Sequence, residues 1–304
     1  MKYAKPAIRI EEQADLLLGR GLIAEREQLV RLLEGVNYYR FSTYLYPFRI
    51  AGTDRFQPGT TLDTVWRRYN FDHRLRMLLL DAIGSIEIHA RTQLAYYFAL
   101  LYGPFGYEES QNFPNFDPVK KDFERWSEKV TEQTRHGYEQ NSAEEFVIHF
   151  FRKYGDEHKT LPIWMFIELM DFGSTLSFYR GSINTIQKRV ASTIDQPDRV
   201  MLSWLLSLNT VRNRCAHHSR LWDWKLGTPV LIPQEKKFPK WHAPAFPNDR
   251  VGVMLTICRY WLGKVSTADQ WTLRLLDLFD EFPEIPLAPM GLPVNWREHP
   301  LWKS

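Results

Sequence analysis

The sequence predicts an all-α protein, and two observations carry that prediction. Through the first three quarters of the 304-residue chain, apolar residues recur three and four positions apart, which is the period of a helix with one buried face. Strictly alternating apolar and polar segments, which indicate strands, are scarce. With 44% hydrophobic and 25% charged residues, the chain has the composition of a globular protein with a substantial core.

Short elements are predicted before residue 60. One helix is expected from Glu11 to Gly19 and another from Ala24 to Leu33, and glycines end both. Aromatic residues then crowd the stretch from Tyr38 to Phe48. Residues 50–60 contain two glycines and a proline, which predict a loop or small hairpin.

A long helix is predicted from Thr61 to about Tyr102, with a bend near Gly84. The stretch from Tyr102 to Pro118 is rich in glycine, phenylalanine and proline, and is expected to be a loop. Further helices are expected at residues 119–137, 142–154, 161–171, 174–180 and 184–193.

The next helix follows Asp195-Gln196-Pro197-Asp198, where a proline and a capping acid signal a helix start, and it runs to about His218. Beyond Trp222 the chain is rich in proline and tryptophan, with helices at about 248–263 and 266–279. These elements predict three parts, with one compact domain overall as the alternative: an N-terminal helical segment packed on the core (residues 1–60), a helical core (61–222) and a C-terminal helical extension (223–304).

Bulk properties exclude several classes of protein. The N-terminus lacks the apolar stretch and cleavage site of a signal peptide, and the apolar segments are too short to span a bilayer. Cys215 and Cys258 form neither a disulfide framework nor a C-x-x-C pair, which fits a reducing compartment. No GxxxxGK or GxGxxG loop is present. We therefore expect a cytoplasmic protein without membrane contact or nucleotide cofactor.

Positive charge is concentrated in one short stretch. From Arg212 to Lys225 there are four basic side chains and one acidic one, so this stretch alone carries the +3 charge of the whole chain. His217 and His218 lie within it. A local basic cluster of this kind is typical of a surface that binds nucleic acid.

The helix that begins at Asp198 carries this stretch at its end. Helical spacing predicts one buried stripe, formed by Met201, Trp204, Leu205, Leu208, Val211 and Cys215. On an ideal helix Arg212 lies about 40° from the centre of that stripe, and His217 lies about 140° and about 7.5 Å from Arg212. The two side chains cannot then close on one phosphate. Either the helix ends near His217, or two copies of the motif face each other and build one site.

Histidine and arginine suit the cleavage of RNA by attack of a ribose 2′-hydroxyl on its own 3′-phosphate. A histidine with a pKa near neutrality serves as general base or acid, and an arginine stabilises the charge of the phosphorane. Asn213 is a candidate to orient the arginine or the substrate. His218, Arg214 and Arg220 are candidates to hold flanking phosphates. No metal is required.

Arg212-Asn213-x-x-x-His217 resembles the R-x(4-6)-H signature of HEPN ribonucleases, and the sequence from Trp204 to Trp222 is similar to the Abi (abortive infection) proteins of the AbiD/AbiF type. Four further stretches share that similarity: Tyr38-Tyr39-Arg40-Phe41-Ser42-x-Tyr44-x-Tyr46-Pro47-Phe48-Arg49, Asp72-x-x-Leu75-Arg76-x-Leu78-Leu79, Ile83-x-x-Ile86-Glu87-Ile88-x-x-Arg91 and Leu161-Pro162-Ile163-Trp164-x-x-x-Glu168-x-x-x-Phe172-Gly173.

The resemblance implies a HEPN-like helical bundle that cleaves RNA without a metal or other cofactor, as an effector of phage defence or a toxin. Arg212 and His217 are then the catalytic residues. Members of the family pair two motifs in one cleft, and because this chain carries one motif, a homodimer is implied. A toxic nuclease also needs restraint, for which a bound regulatory RNA or an antitoxin partner is expected.

Several residues have both structural and functional interpretations. Glu87 and Arg91 lie four apart on one helix, and form either an ion pair worth about 0.3 to 0.5 kcal/mol or a polar pair that orients the cleft or grips RNA. Glu168 is expected to be a buried acid that anchors a helix end, in preference to a direct catalytic role. The aromatic residues from Tyr38 to Phe48 favour core packing over a stacking platform for bases.

Two other arginine and histidine pairs share the motif spacing, at Arg68 to His73 and at Arg152 to His158. Neither has the asparagine or the basic cluster, and the first is expected on the exposed side of a helix. Cys215, His217 and His218 do not amount to a metal site, which needs three or four converging ligands.

Two rival functions stay open. One is a non-catalytic HEPN module that binds RNA or a protein partner through the same basic patch. The other is a metal-dependent nuclease that uses acids such as Asp277 and Asp280, which lie on an ordinary acidic helix.

Overall fold

The computed structural model describes residues 6–139, 144–242, 245–265 and 270–303. Within these ranges the chain forms twelve α-helices and no strand, so the all-α prediction is confirmed. The helices are α1 (Ile10–Gly19), α2 (Arg26–Gly35), α3 (Tyr38–Leu45), α4 (Leu62–Tyr102), α5 (Asp122–Glu139), α6 (Glu145–Tyr154), α7 (Ile163–Phe166), α8 (Phe172–Gly181), α9 (Asn184–Ser192), α10 (Asp198–Ala216), α11 (Val251–Val265) and α12 (Gln270–Glu281). Residues 142–143 and 266–269, which belong to two predicted helices, lie outside the described residues.

The long helix α4 is the axis of the bundle. Its 41 residues give it a length of about 60 Å. The hydroxyl of Thr61 caps its first turn by accepting a hydrogen bond from the Thr64 N–H at 3.1 Å. The helix is continuous through Gly84. Helices α3, α9, α10, α11 and α12 all pack against it, so α4 positions most of the other elements.

Helix α10 presents the predicted apolar stripe to the core. Every member of that stripe, from Met201 to Cys215, is buried, and α10 contacts α4, α8, α9 and α11. Pro197 occupies the N-cap position, and Asp198 stands in the first turn without capping it. The helix ends at Ala216, slightly before the predicted end.

One predicted helix is shorter than expected. Residues 161–171 form only α7, followed by a 3-10 turn from Ile167 to Leu169. The backbone is extended at Met170, and the Asp171 carboxylate caps the start of α8 by accepting from the Ser174 N–H at 2.6 Å. The extended backbone at Met170 therefore separates the 3-10 turn from α8, which starts at its own cap.

The proline- and tryptophan-rich C-terminal region packs on the same core. The buried indole of Trp261 in α11 donates to His89 of α4 at 3.1 Å, and the indole of Trp302 donates to the Thr256 hydroxyl at 3.0 Å. One contiguous hydrophobic cluster extends from Ala14 to Trp302. None of the described helices combines the length and the hydropathy that a membrane crossing needs.

A buried carboxylate links α3, α4 and the chain that leaves α10. Asp72 is fully buried and accepts hydrogen bonds from the backbone N–H of Leu221 at 3.0 Å and of Trp222 at 2.7 Å. It also accepts from the Tyr44 hydroxyl at 2.6 Å and pairs with Arg76. Burial raises the pKa of Asp72, while Arg76 and these hydrogen bonds act against the rise. The interactions fix the path of the chain after residue 220.

We predict that Asp72→Ala lowers the free energy of unfolding by about 3 to 5 kcal/mol, because it leaves the buried Arg76 charge uncompensated. Urea unfolding followed by tryptophan fluorescence measures this. Asp277→Ala, which removes an exposed carboxylate of α12, is the control and should change stability by less than about 0.5 kcal/mol. A loss of similar size in both variants would contradict the assigned role.

Candidate active site

The end of α10 turns sharply at the motif. The Ser219 N–H donates to the Arg214 carbonyl at 3.0 Å, and the His218 N–H donates to the Cys215 carbonyl at 2.9 Å. This pair of hydrogen bonds is the Schellman arrangement, in which the residue after the cap is left-handed and is usually glycine. Here that residue is His218, with φ 55°. His217 is the cap residue, so it lies where the helix ends.

A left-handed histidine costs roughly 1 to 2 kcal/mol. Contacts from neighbouring elements hold the turn in place against this cost. Arg40 of α3 donates to the His218 carbonyl. Arg214 donates through Nε to the Arg220 carbonyl at 2.7 Å, and Arg220 donates to the Thr43 carbonyl. The strained turn is therefore held from α3 as well as from the Asp72 anchor.

Arg212 lies one turn before the helix end and is half-buried. Its guanidinium donates to the Asn213 side-chain oxygen at 3.2 Å, so the neighbouring asparagine contacts Arg212. Glu87 and Arg91 form a semi-buried ion pair on α4, and Arg91 also donates to the Met170 carbonyl. Burial raises the pKa of Glu87, whereas Arg91 and Arg212 both act to lower it. The structure thus brings Arg212 close to Glu87 and Arg91.

A second ion pair borders this group. Lys129 of α5 contacts the Asp171 carboxylate at 2.7 Å, and Asp171 is close enough to Glu87 to act on its pKa. Burial works to raise the pKa of Asp171, but hydrogen bonds from Lys129 and Ser174 outweigh it and hold that pKa below its usual value. The Glu87 carboxylate pairs with Arg91 and lies within electrostatic reach of Arg212, while Lys129 and Asp171 neutralise each other. The group therefore keeps a positive charge in a partly desolvated place.

Both histidines of the motif are exposed. Within the described part of the chain, no polar group binds the His217 imidazole. His218 lies near His73 of α4: burial lowers the pKa of His73, and the charges of Arg76 and His218 lower it further. The pair of Arg68 and His73 does not make a second motif, but the structure places His73 within electrostatic reach of His218.

The other two motif arginines face the protein. The Arg214 guanidinium lies 4.6 Å from the centre of the Trp224 ring, and burial lowers the pKa of Arg214. Arg220 pairs with Asp223 at 2.9 Å in addition to its bond to Thr43. These contacts hold the turn together, and phosphate binding by Arg214 and Arg220 stays a prediction.

Three expectations outside the motif need correction. Arg68 is not on an exposed helix face: it lies between the rings of Phe48 and Trp222, 4.3 and 4.9 Å from their centres. Glu168 is exposed rather than buried, because the 3-10 turn after α7 points it outward. The aromatic stretch divides: Phe41 and Tyr44 are buried, whereas Tyr39 and Tyr46 are about two thirds exposed, at 66% and 65%.

The described residues contain no group of three or more histidine, cysteine or acidic side chains placed to hold a metal. Asp280 is engaged with Arg297 at 2.7 Å. Cys215 and Cys258 are buried free thiols, and burial raises the pKa of Cys215 to about 12. The cysteine of the motif is therefore a packing residue, protonated at neutral pH.

Sequence reasoning missed Arg40, Asp72, His73 and Asp171 as parts of this region. Asp72 and Arg76 had a detectable signal, since opposite charges four apart share a helix face. The contacts of Arg40 and Asp171 have no local signal, because they join residues far apart in the chain.

A family model described as Abi-like protein matches residues 31–223. The matched segment begins in α2 and ends just after the turn, so it includes Glu87, Arg91 and the whole motif. No curated protein and no solved structure matches the chain.

We predict that His218→Ala raises the pKa of His73, because it removes a positive charge that disfavours the protonated ring. NMR titration of the histidine rings in both proteins measures the shift, with His73→Ala to assign the signal. His149→Ala, an exposed histidine on α6, should leave His73 unchanged. A His73 pKa that stays constant or falls in His218→Ala would show that the two rings do not interact.

Proposed function

The chain belongs to the Abi-like protein family, and from this premise we propose that it is a metal-independent endoribonuclease of the HEPN type, acting as an abortive-infection or toxin effector. The observation that carries the proposal is the end of α10 at the motif, where the chain turns directly after His217. Arg212 remains on the helix beside the Glu87 and Arg91 pair, whereas His217 is the exposed cap at the helix end. The His217 N–H still makes the helical hydrogen bond to the Asn213 carbonyl at 2.9 Å, so the two side chains keep the angular separation of a helix, and a site shared by two copies is the arrangement that brings them together.

In the proposed reaction, a ribose 2′-hydroxyl attacks the adjacent phosphorus and the bond to the 5′-oxygen of the next nucleotide breaks. His217 takes the hydroxyl proton or protonates the leaving oxygen, and its exposed ring is open to solvent for exchange. Arg212 stabilises the charge on the phosphorane. The products are a 2′,3′-cyclic phosphate and a 5′-hydroxyl.

The neighbouring residues have supporting roles in this proposal. Asn213 orients the Arg212 guanidinium through the observed hydrogen bond. Glu87 and Arg91 form one wall of the site, where the surplus positive charge favours an approaching phosphate. His218 assists by holding the turn and by adding charge near His73. Arg214 and Arg220 maintain the backbone on which His217 stands.

We further propose a homodimer in which two motifs meet in one cleft. Each chain has one motif, and the exposed His217 of each copy is available to a second. A regulatory RNA or an antitoxin would restrain the activity by covering this cleft, which lies outside the buried core.

We predict that Arg212→Ala and His217→Ala each reduce RNA cleavage in EDTA by at least about 100-fold, since each removes a group that acts in the transition state. The measurement is gel analysis of a labelled RNA, with chemical mapping of the product ends. Arg152→Ala, at a pair of similar spacing on the surface of α6, is the matched control and keeps wild-type activity.

Two outcomes would contradict the proposal. Cleavage that persists in both motif variants would exclude the assigned catalytic pair, and cleavage that EDTA abolishes would indicate the metal-dependent rival. RNA that binds with a strong salt dependence but is never cleaved would indicate the non-catalytic binding module.

The dimer has a test of its own. If one copy supplies Arg212 and the other His217, mixing inactive Arg212→Ala with inactive His217→Ala restores one complete site per mixed dimer. Random exchange then returns about a quarter of wild-type activity. No recovery, despite exchange shown by native mass spectrometry, would mean that each site uses both residues from one chain.

A further inference from the structure

A groove runs along the exposed face of α10 toward the motif. It has a volume of about 360 Å³, which is within the range of small-molecule sites. Helix α10 contributes Ser203, Leu206, Ser207 and Thr210, and Trp224 and Thr228 form the facing wall. No residue of the groove lining carries a charge. This surface differs from the charged group around Arg212 and needs a different ligand.

The groove is continuous with the motif. At 100° per residue, Ser203, Ser207 and Thr210 share a face about 60° wide with Arg214. Trp224, in the facing wall, lies against the Arg214 guanidinium. The groove residues of α10 therefore lie about two to four helical turns from His217 along the helix axis.

Three hydroxyl groups of the groove differ in the hydrogen bonds that they can still form with a ligand. Thr210 donates its proton to the Leu206 carbonyl at 3.0 Å, which leaves its oxygen free to accept. Ser203 accepts from the Leu231 N–H at 2.9 Å, which leaves its proton free to donate. Among the described residues, the Ser207 hydroxyl has no hydrogen-bond partner, so it can do either.

From these features we propose that the groove binds a nucleobase of the RNA strand and gives the enzyme a base preference. This inference rests on the proposed function. The groove lining offers no cation to bind a phosphate, whereas a base has apolar faces and a polar edge. Leu206 and Trp224 would contact the faces of the base. The hydroxyls of Ser203, Ser207 and Thr210 would form hydrogen bonds with its edge. Thr210 is left to accept and Ser203 to donate, so a base of the wrong pattern leaves their hydrogen-bonding groups unsatisfied and binds less tightly.

Binding of 2′-O-methyl decamers of U, C and A, which cannot be cleaved, tests the proposal by fluorescence anisotropy. Wild type is expected to discriminate among the three. Ser207→Ala and Thr210→Val each reduce the ratio of best to worst affinity by about three- to ten-fold, the effect of one lost hydrogen bond. Thr185→Val, an exposed threonine of α9, is the matched control and keeps the wild-type ratio. Unfolding midpoints confirm that all variants are folded.

Equal affinities in wild type, or a ratio unchanged in Ser207→Ala and Thr210→Val, would overturn the proposal. The second result is also what a groove that holds a segment of a protein partner would give. The base-site proposal and the nuclease proposal can fail separately. If the affinity ratio falls in Ser207→Ala and Thr210→Val while unmodified RNA stays intact, the base site is supported and the nuclease is not. If cleavage depends on Arg212 and His217 but the affinity ratio never changes, the nuclease is supported and the base site is not.

Discussion

The Asp72 carboxylate accepts the backbone hydrogens of Leu221 and Trp222 while it contacts Arg76 and Tyr44. A buried charge of this kind is stable only when its hydrogen-bonding capacity is used. The interactions therefore work as a unit and fasten the chain after α10 to the middle of the bundle. Every feature of the motif depends on this attachment, because the turn at His217 and His218 lies between it and the buried stripe of α10.

The candidate site divides into two environments of different character. Around Arg212 the side chains are half-buried, and the Glu87 carboxylate pairs with Arg91 within electrostatic reach of Arg212. Around His217 the surface is open, and the imidazole stands at the end of a helix. In the proposed reaction, a phosphate that enters from the open side would meet a positive charge that is weakly solvated, which strengthens the attraction. His217 would exchange its proton with water.

The sequence predicted what depends on local pattern. The stripe from Met201 to Cys215 and the extent of α4, from about Thr61 to Tyr102, both follow from spacing and propensity. It failed where contacts join distant residues. Arg68 has the sequence of an exposed position, but two aromatic rings from separate elements cover it. Arg214 belongs to a basic cluster, but Trp224 and the Arg220 carbonyl take its guanidinium. The left-handed turn at His218 lacks the glycine that usually signals it.

Helix α4 carries the Asp72 anchor and, about 22 Å further along, the Glu87 and Arg91 pair. Asp72 must reach the chain that leaves α10 while Glu87 faces Arg212, so the number of residues between them is a constraint on angle as well as on distance. Inserting a single residue between Arg76 and Glu87 would rotate the second half of the helix by about 100° relative to the first. Glu87 would then leave Arg212 although no side chain had been altered. The angular register of α4 thus determines the geometry of the site as much as the residues that line it.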